Sequence, residues 1–222
     1  MNPPNWRTYL VTQESLSSGR STVEIVEAAI DGGVDAVQLR EKDADARWRY
    51  ELGLELRELT AAAGVALIVN DRVDVAEAID ADGVHVGQSD LPVAVARDLL
   101  GSDAIVGCSA STVTEAERAE ADGADYLGVG SIYGTSSKDV VAENDRLGPE
   151  RVAAIADAVS IPIVGIGGVT ADNATPVAEA GATGVAVISE ITAAEDPAAA
   201  TRRLADAVET GKALESGGPT NE

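Results

Sequence analysis

Phenylalanine is absent from this 222-residue chain, and cysteine, histidine and methionine occur once each. A single cysteine, Cys108, excludes an internal disulfide and suits a reducing compartment. No apolar run approaches the roughly 20 residues that cross a bilayer. The start, Met1 to Arg7, lacks the basic-then-apolar order of a signal peptide, so a cytoplasmic protein is expected. Positive charge is scarce: 16 basic residues face 38 acidic ones, a formal net charge of −22, and lysine occurs only at Lys42, Lys138 and Lys212. Such a chain repels nucleic acid and anionic membrane surfaces, which excludes both as partners.

What is present is apolar residues, at 45%, enough for one well-buried domain of this length. The acidic residues are interspersed on helical faces, as in Glu115-Ala116-Glu117-Arg118-Ala119-Glu120, rather than gathered in a tail. This pattern predicts a halophilic protein, because at 1 M salt the Debye length falls to about 3 Å and self-repulsion is screened. Thermal stability and activity are therefore expected to rise between 0.1 and 2 M KCl, roughly an order-of-magnitude salt series. Equal stability and activity at the two ends would refute it.

Short β-branched runs alternate with longer Ala/Glu/Leu segments. Strands are expected at 8–12, 36–39, 65–69, 83–86, 104–107, 125–129, 162–165 and 184–188. Between them the 3.6-residue period predicts helices. Ser21 or Thr22 caps the first, Gly64 ends the second, Pro92 and Pro149 open two more, Thr170 caps the seventh and Pro197 begins the last. Eight βα units predict a single-domain (β/α)8 TIM barrel over residues 1–212, with a polar, disordered tail at 213–222. An open doubly wound sheet would need fewer strands, or a Gly-x-Gly-x-x-Gly after the first one, and neither is found. The recurring Gly33-Val34-Asp35, Gly123-Ala124-Asp125 and Gly181-Ala182-Thr183 read as helix stops that return the chain to the barrel floor.

In such barrels the active site forms at the carboxyl ends of the strands. Seven of the eight expected strands deliver polar or glycine-rich residues there. Gln38, Arg40 and Lys42 occupy alternate positions, so an amide, a guanidinium and an ammonium can converge on one anion. Asp71 and Asp90 end adjacent strands. Paired carboxylates suit Mg²⁺, which keeps water and substrate phosphates as further ligands, although each could instead cap the helix it precedes. Gly167-Gly168 and Ile188-Ser189 follow strands seven and eight, the usual phosphate site of these barrels. Thr135, Ser136, Ser137 and Lys138 lie in a loop long enough to cover a ligand. Two anion sites in one mouth suggest two phosphorylated substrates, one with a diphosphate that a metal helps to leave. His85 sits inside the strand pattern and reads as wall, not general base. Cys108 reads as buried filler, and Trp6 and Trp48 as packing residues.

Gln38-Leu39-Arg40-Glu41-Lys42, Asn70-Asp71, Asp82 to Asp90, Gly107-Cys108-Ser109, Thr135-Ser136-Ser137-Lys138, Gly165 to Val169 and Val187-Ile188-Ser189 resemble the thiamine phosphate synthase family in order and spacing. The resemblance implies a transferase joining hydroxymethylpyrimidine diphosphate to a thiazole phosphate, or its carboxylated form. It places the pyrimidine diphosphate on Gln38 to Lys42, Asn70, Ser109 and Lys138, with Arg40, Lys42, Ser109 and Lys138 catalytic. Asp71 and Asp90 hold Mg²⁺. Thr135 to Ser137, Gly167 or Gly168, Ile188 and Ser189 hold the thiazole phosphate. Ser137 and Gly134 depart from the family's usual Thr and Pro, and 140–145 is unlike its usual loop. Small-molecule partners alone are implied, compatible with a homo-oligomer. A thiazole tautomerase of the same fold has no diphosphate to expel, and a ligand-sensing barrel need not show Mg²⁺-dependent diphosphate release.

Overall fold

In the computed structural model, residues 4–134 and 147–216 are described. Eight parallel strands, β1 (Thr8–Val11), β2 (Ala36–Leu39), β3 (Ala66–Asn70), β4 (Gly83–Val86), β5 (Ile105–Ala110), β6 (Tyr126–Val129), β7 (Ile163–Ile166) and β8 (Gly184–Val187), close into a barrel in sequence order. β8 seals it against β1, with Thr8 opposite Val185 and Leu10 opposite Val187. Helices α1 (Thr22–Asp31), α2 (Ala46–Ala63), α3 (Val73–Ala78), α4 (Val93–Leu100), α5 (Val113–Ala121), α6 (Gly148–Ala156) and α7 (Thr175–Glu179) form the crossovers. The short α8 (Ser189–Thr192) and the long α9 (Pro197–Ser216) follow β8. None of the described helices is long and apolar enough to cross a membrane.

Two hydrophobic clusters follow from the period-2 alternation of the strands. Leu10, Val37, Leu39, Leu67, Val69, Val84, Val86 and Cys108 face the helices. Trp6, Tyr9, Val11, Ala36, Ile68, Tyr126, Val164 and Ala186 fill the interior. Trp6 stands edge-on to Tyr9 and Tyr126, with ring centroids 5.3 and 5.1 Å away, and closes the floor. Asp35 and Asp125 of the expected floor turns, and Asp82 just before β4, share a definite task. Asp35 accepts from the Thr8 backbone N–H, Asp82 from that of Leu67 and Asp125 from that of Val106, so each pins the start of a neighbouring strand. Arg7, Arg57 and Arg97 pair with these three carboxylates.

Some boundaries differ from the sequence expectation. β5 continues to Ala110, which carries Cys108 and Ser109 within the strand. Thr170 does not cap the seventh helix: Asn173 Oδ1 accepts from its backbone N–H and α7 begins at Thr175. Residues 213–216, expected in the tail, continue α9. Gly211, within α9, serves as a crossing point. A Cβ there would lie 2.4 Å from the Thr175 carbonyl oxygen, so its bare backbone lets α9 pack on α7.

Candidate active site

Along the pentapeptide that ends β2, alternation separates the residues sharply. Gln38 points into the barrel, and Arg40, one step past the strand, lines the same cavity with Asn70, His85 and Ser109. Arg40 is buried; its backbone N–H donates to Thr12 Oγ1 at 3.0 Å and its guanidinium to Gln13 Oε1 at 3.2 Å. Lys42 is exposed, and its charge acts on the Asp71 carboxylate. Leu39 faces the other way, into the layer beneath the helices, so its side chain stands outside the cavity.

Glu41, grouped with the substrate contacts in the sequence reading, is spoken for by the protein itself. Its carboxylate accepts from the Glu14 backbone N–H at 3.0 Å and from Thr22 Oγ1 at 3.0 Å. It thus holds the 3₁₀ turn Glu14–Leu16 and the start of α1 against the mouth. Arg49 of α2 grips the same loop from outside, donating to the carbonyls of Glu41 and Lys42 at 2.8 and 2.7 Å.

Asp71 and Asp90 come together. Neither caps a helix: Arg72 and Pro92 hold the cap positions of α3 and α4. Asp71 takes a left-handed backbone, φ 61°, and its N–H donates to the His85 carbonyl at 2.8 Å. Asp90 turns back so that Oδ2 accepts from the Gly87 N–H at 2.8 Å. Burial, and next the adjacent Asp90 charge, push the Asp71 carboxyl up to about 6, with Lys42 opposing. Two carboxylates forced together with too little positive charge suit a hard divalent cation such as Mg²⁺. Among the described residues no third His, Cys, Asp or Glu joins them, so further ligands would be water or phosphate oxygens.

A second cavity adjoins the first, sharing Ile166, Ala186 and Ile188 with it, and is lined also by Ser131, Gly167, Gly168, Thr170 and Ser189. The β7–α7 turn reaches it through two left-handed glycines, Gly167 at φ 102° and Gly168 at φ 69°. The Ser131 hydroxyl is buried here and meets no hydrogen-bond partner among the described residues. A buried donor left open beside backbone turns is what an anion would satisfy. Ser131 has no signal of its own in the sequence beyond the polar run that follows β6. Thr135, Ser136, Ser137 and Lys138 lie outside the described residues.

Along the wall of the first cavity the interior polar groups are linked. Gln38 Nε2 donates to the Tyr9 hydroxyl at 2.9 Å, and the Tyr9 and Tyr126 hydroxyls lie 3.0 Å apart. Tyr126 Oη is 3.0 Å from His85 Nδ1, and His85 Nε2 is 2.9 Å from Ser109 Oγ. Burial raises the titration of both tyrosines, so they remain phenols. His85 is therefore wall in position and a hydrogen-bonded link in chemistry. Cys108 faces the helices, and burial pushes its thiol up to about 11. The tyrosines escaped the sequence reading, but a signal existed in the strand glycines. A Cβ on Gly107 would sit 2.2 Å from the Tyr126 ring, and one on Gly128 2.9 Å from His85 Cε1.

A parallel barrel carrying a cationic cavity, a carboxylate pair and a second anion cavity at one mouth defines a (β/α)8 enzyme of phosphorylated small molecules. The family model described as thiamine monophosphate synthase matches residues 8–191, and the chain belongs to that family. It is 68% identical to the thiamine-phosphate synthase of Natronomonas pharaonis over 201 residues, covering 90% of this chain and 94% of that one. With the thiamine-phosphate synthase of Haloquadratum walsbyi it shares 62% identity over 216 residues, 97% and 96% of the two chains. The solved thiamine phosphate pyrophosphorylase of Pyrococcus furiosus superposes with a TM-score of 0.84 at 41% identity, covering 92% of this chain and 96% of that one.

Proposed function

We propose that the chain carries out the thiamine-phosphate synthesis of its family by a dissociative route, with the diphosphate placed at Arg40, Lys42, Asn70 and Ser109. One observation carries this reading: the few cationic groups near the mouth and the Asp71–Asp90 pair converge beside the cavity that Gln38 and Ser109 line. The bond between the pyrimidine methylene carbon and the diphosphate oxygen breaks, and its electron pair leaves with the diphosphate. The thiazole nitrogen's lone pair then forms the new C–N bond. The ring amino group stabilises the intervening cation, so the protein needs neither nucleophile nor general base. That fits a buried, high-pKa Cys108 and a His85 whose two nitrogens are already engaged.

Arg40 and Lys42 stabilise charge as it develops on the departing group. Magnesium, held by Asp71 and Asp90, would supply further positive charge to that diphosphate. Ser131, Gly167, Gly168 and Ser189 hold the thiazole phosphate at the proper distance for capture, with Ile188 as apolar wall. The resemblance adds Lys138 to the diphosphate and Thr135, Ser136 and Ser137 to the thiazole phosphate.

The test is incubation with hydroxymethylpyrimidine diphosphate, thiazole phosphate and Mg²⁺. Diphosphate release, and a fluorescent thiochrome after oxidation, should both require both substrates and the metal. Absence of diphosphate release under these conditions refutes the proposal.

A further inference from the structure

The five linked groups from Gln38 to Ser109 have a direction. Gln38 Nε2 can only donate, so the Tyr9 oxygen accepts from it. Tyr9 is buried and has one proton, and its other neighbour in the chain is the Tyr126 hydroxyl. Because buried donors are paired, that proton goes to Tyr126. The Tyr126 proton passes the same demand to His85 Nδ1, which accepts. The imidazole proton is then on Nε2 and donates to Ser109 Oγ. Ser109, receiving, has its own proton left over, and its side chain borders the cavity lined also by Arg40 and Asn70.

We infer that Tyr9, Tyr126 and His85 are positioning residues that act through Ser109: a one-way hydrogen-bonded chain fixes the Nε2–H tautomer of His85 and turns the Ser109 O–H outward as a donor to the diphosphate. The reverse sense needs the Gln38 amide turned over, with Oε1 on Tyr9, the imidazole proton on Nδ1 and Ser109 donating inward. Ser109 would then present only lone pairs to the cavity and repel an anion. The direction of a chain rooted on the opposite wall thus decides whether Ser109 can bind a phosphate oxygen. The inference rests on the placing of the diphosphate proposed above.

His85 is the only histidine, so ¹⁵N-histidine labelling of the full chain gives one imidazole. Its long-range ¹⁵N–¹H couplings at neutral pH, without substrate, report which nitrogen carries the proton. Expected is a protonated Nε2 and a bare Nδ1; a proton on Nδ1, or on both, overturns the chain. Rate measurements supply the second arm. Ser109→Ala should lower kcat by about 10²-fold, as for loss of one donor to a developing anion. Tyr126→Phe, isosteric but without the donor to Nδ1, should lower kcat by about tenfold, the worth of one ordinary hydrogen bond. The KM for thiazole phosphate should not move. In the Ser109→Ala background, Tyr126→Phe should cost nothing more. An additive loss in the double variant means Tyr126 acts by packing and overturns the inference. An unimpaired Ser109→Ala, with the tautomer as expected, instead refutes the placing of the diphosphate and with it the role of the chain.

Discussion

Asp71→Asn is expected to reduce turnover by about 10²–10³-fold, the usual effect of removing one electrostatic support from a departing anion. In the absence of divalent cations the same substitution should raise Tm. The two effects share one cause. Burial and Asp90 push the Asp71 carboxyl up to about 6, above its value in the unfolded chain. The folded state therefore binds this proton more tightly than the unfolded state does. Stability from that group is present below the ordinary carboxylate range and is lost as pH rises from about 4 through about 6. Asparagine has no charge to lose. The Tm difference, variant minus wild type, should be near zero at the acid end of that window and reach its full positive value by neutral pH. Saturating Mg²⁺ should raise the wild-type Tm by mass action and leave Asp71→Asn almost unmoved. Calorimetry across this pH range, with and without Mg²⁺, checks all three. A wild type indifferent to Mg²⁺ would remove Asp71 and Asp90 from any metal site.

Gly167→Ala should raise the KM for thiazole phosphate by at least about tenfold, a loss of roughly 1.4 kcal/mol of binding, while sparing the KM for the pyrimidine diphosphate. A Cβ at this position would lie 2.4 Å from Ser131 Oγ and 2.8 Å from Ser131 Cα. The backbone stands at φ 102°, a region that costs a side chain on the order of 1–3 kcal/mol. The β7–α7 turn must shift away from Ser131, and both walls of the phosphate cavity shift with it. The first cavity adjoins this one through Ile166, Ala186 and Ile188, but its polar residues Gln38, Arg40, Asn70 and Ser109 belong to other strands and loops than this turn and keep their geometry. Equal rises in both KM values would show that the substitution loosens the whole barrel, and an unchanged thiazole KM would place the phosphate elsewhere.

The sequence was most readable where a single period governs both packing and function. The span 36–39 is observed as β2, and the rule that groups Gln38 with Arg40 sets Leu39 on the opposite face. Leu39 and Glu41, expected among the ligand contacts by the continuity of the motif, have side chains in the helix-facing layer and on Glu14 and Thr22 respectively. Glu41 could not be placed from sequence because its partners, Glu14 and Thr22, belong to a turn and a helix start brought near only by barrel closure. That Asp71 and Asp90 lie together was readable because they follow adjacent strands, whereas their mutual pressure needed coordinates. Tyr9 and Tyr126 look like ordinary strand aromatics. Their polar ends meet only because β1 and β6 face each other across the interior, and that pairing leaves no local trace except the glycines that make room.

Trp6 against Tyr9 and Tyr126 makes the reaction chamber blind-ended. Traffic must then run in and out through one opening, and depth sets its order. On the proposed placement the pyrimidine, at Gln38 inside the barrel, would enter before the thiazole phosphate closes in beside it. On the same placement, diphosphate beside the exposed Lys42 would depart while the new thiamine phosphate is still seated. An ordered sequence of arrivals and departures is therefore expected, which product-inhibition patterns in initial-rate kinetics would register and a random pattern would contradict.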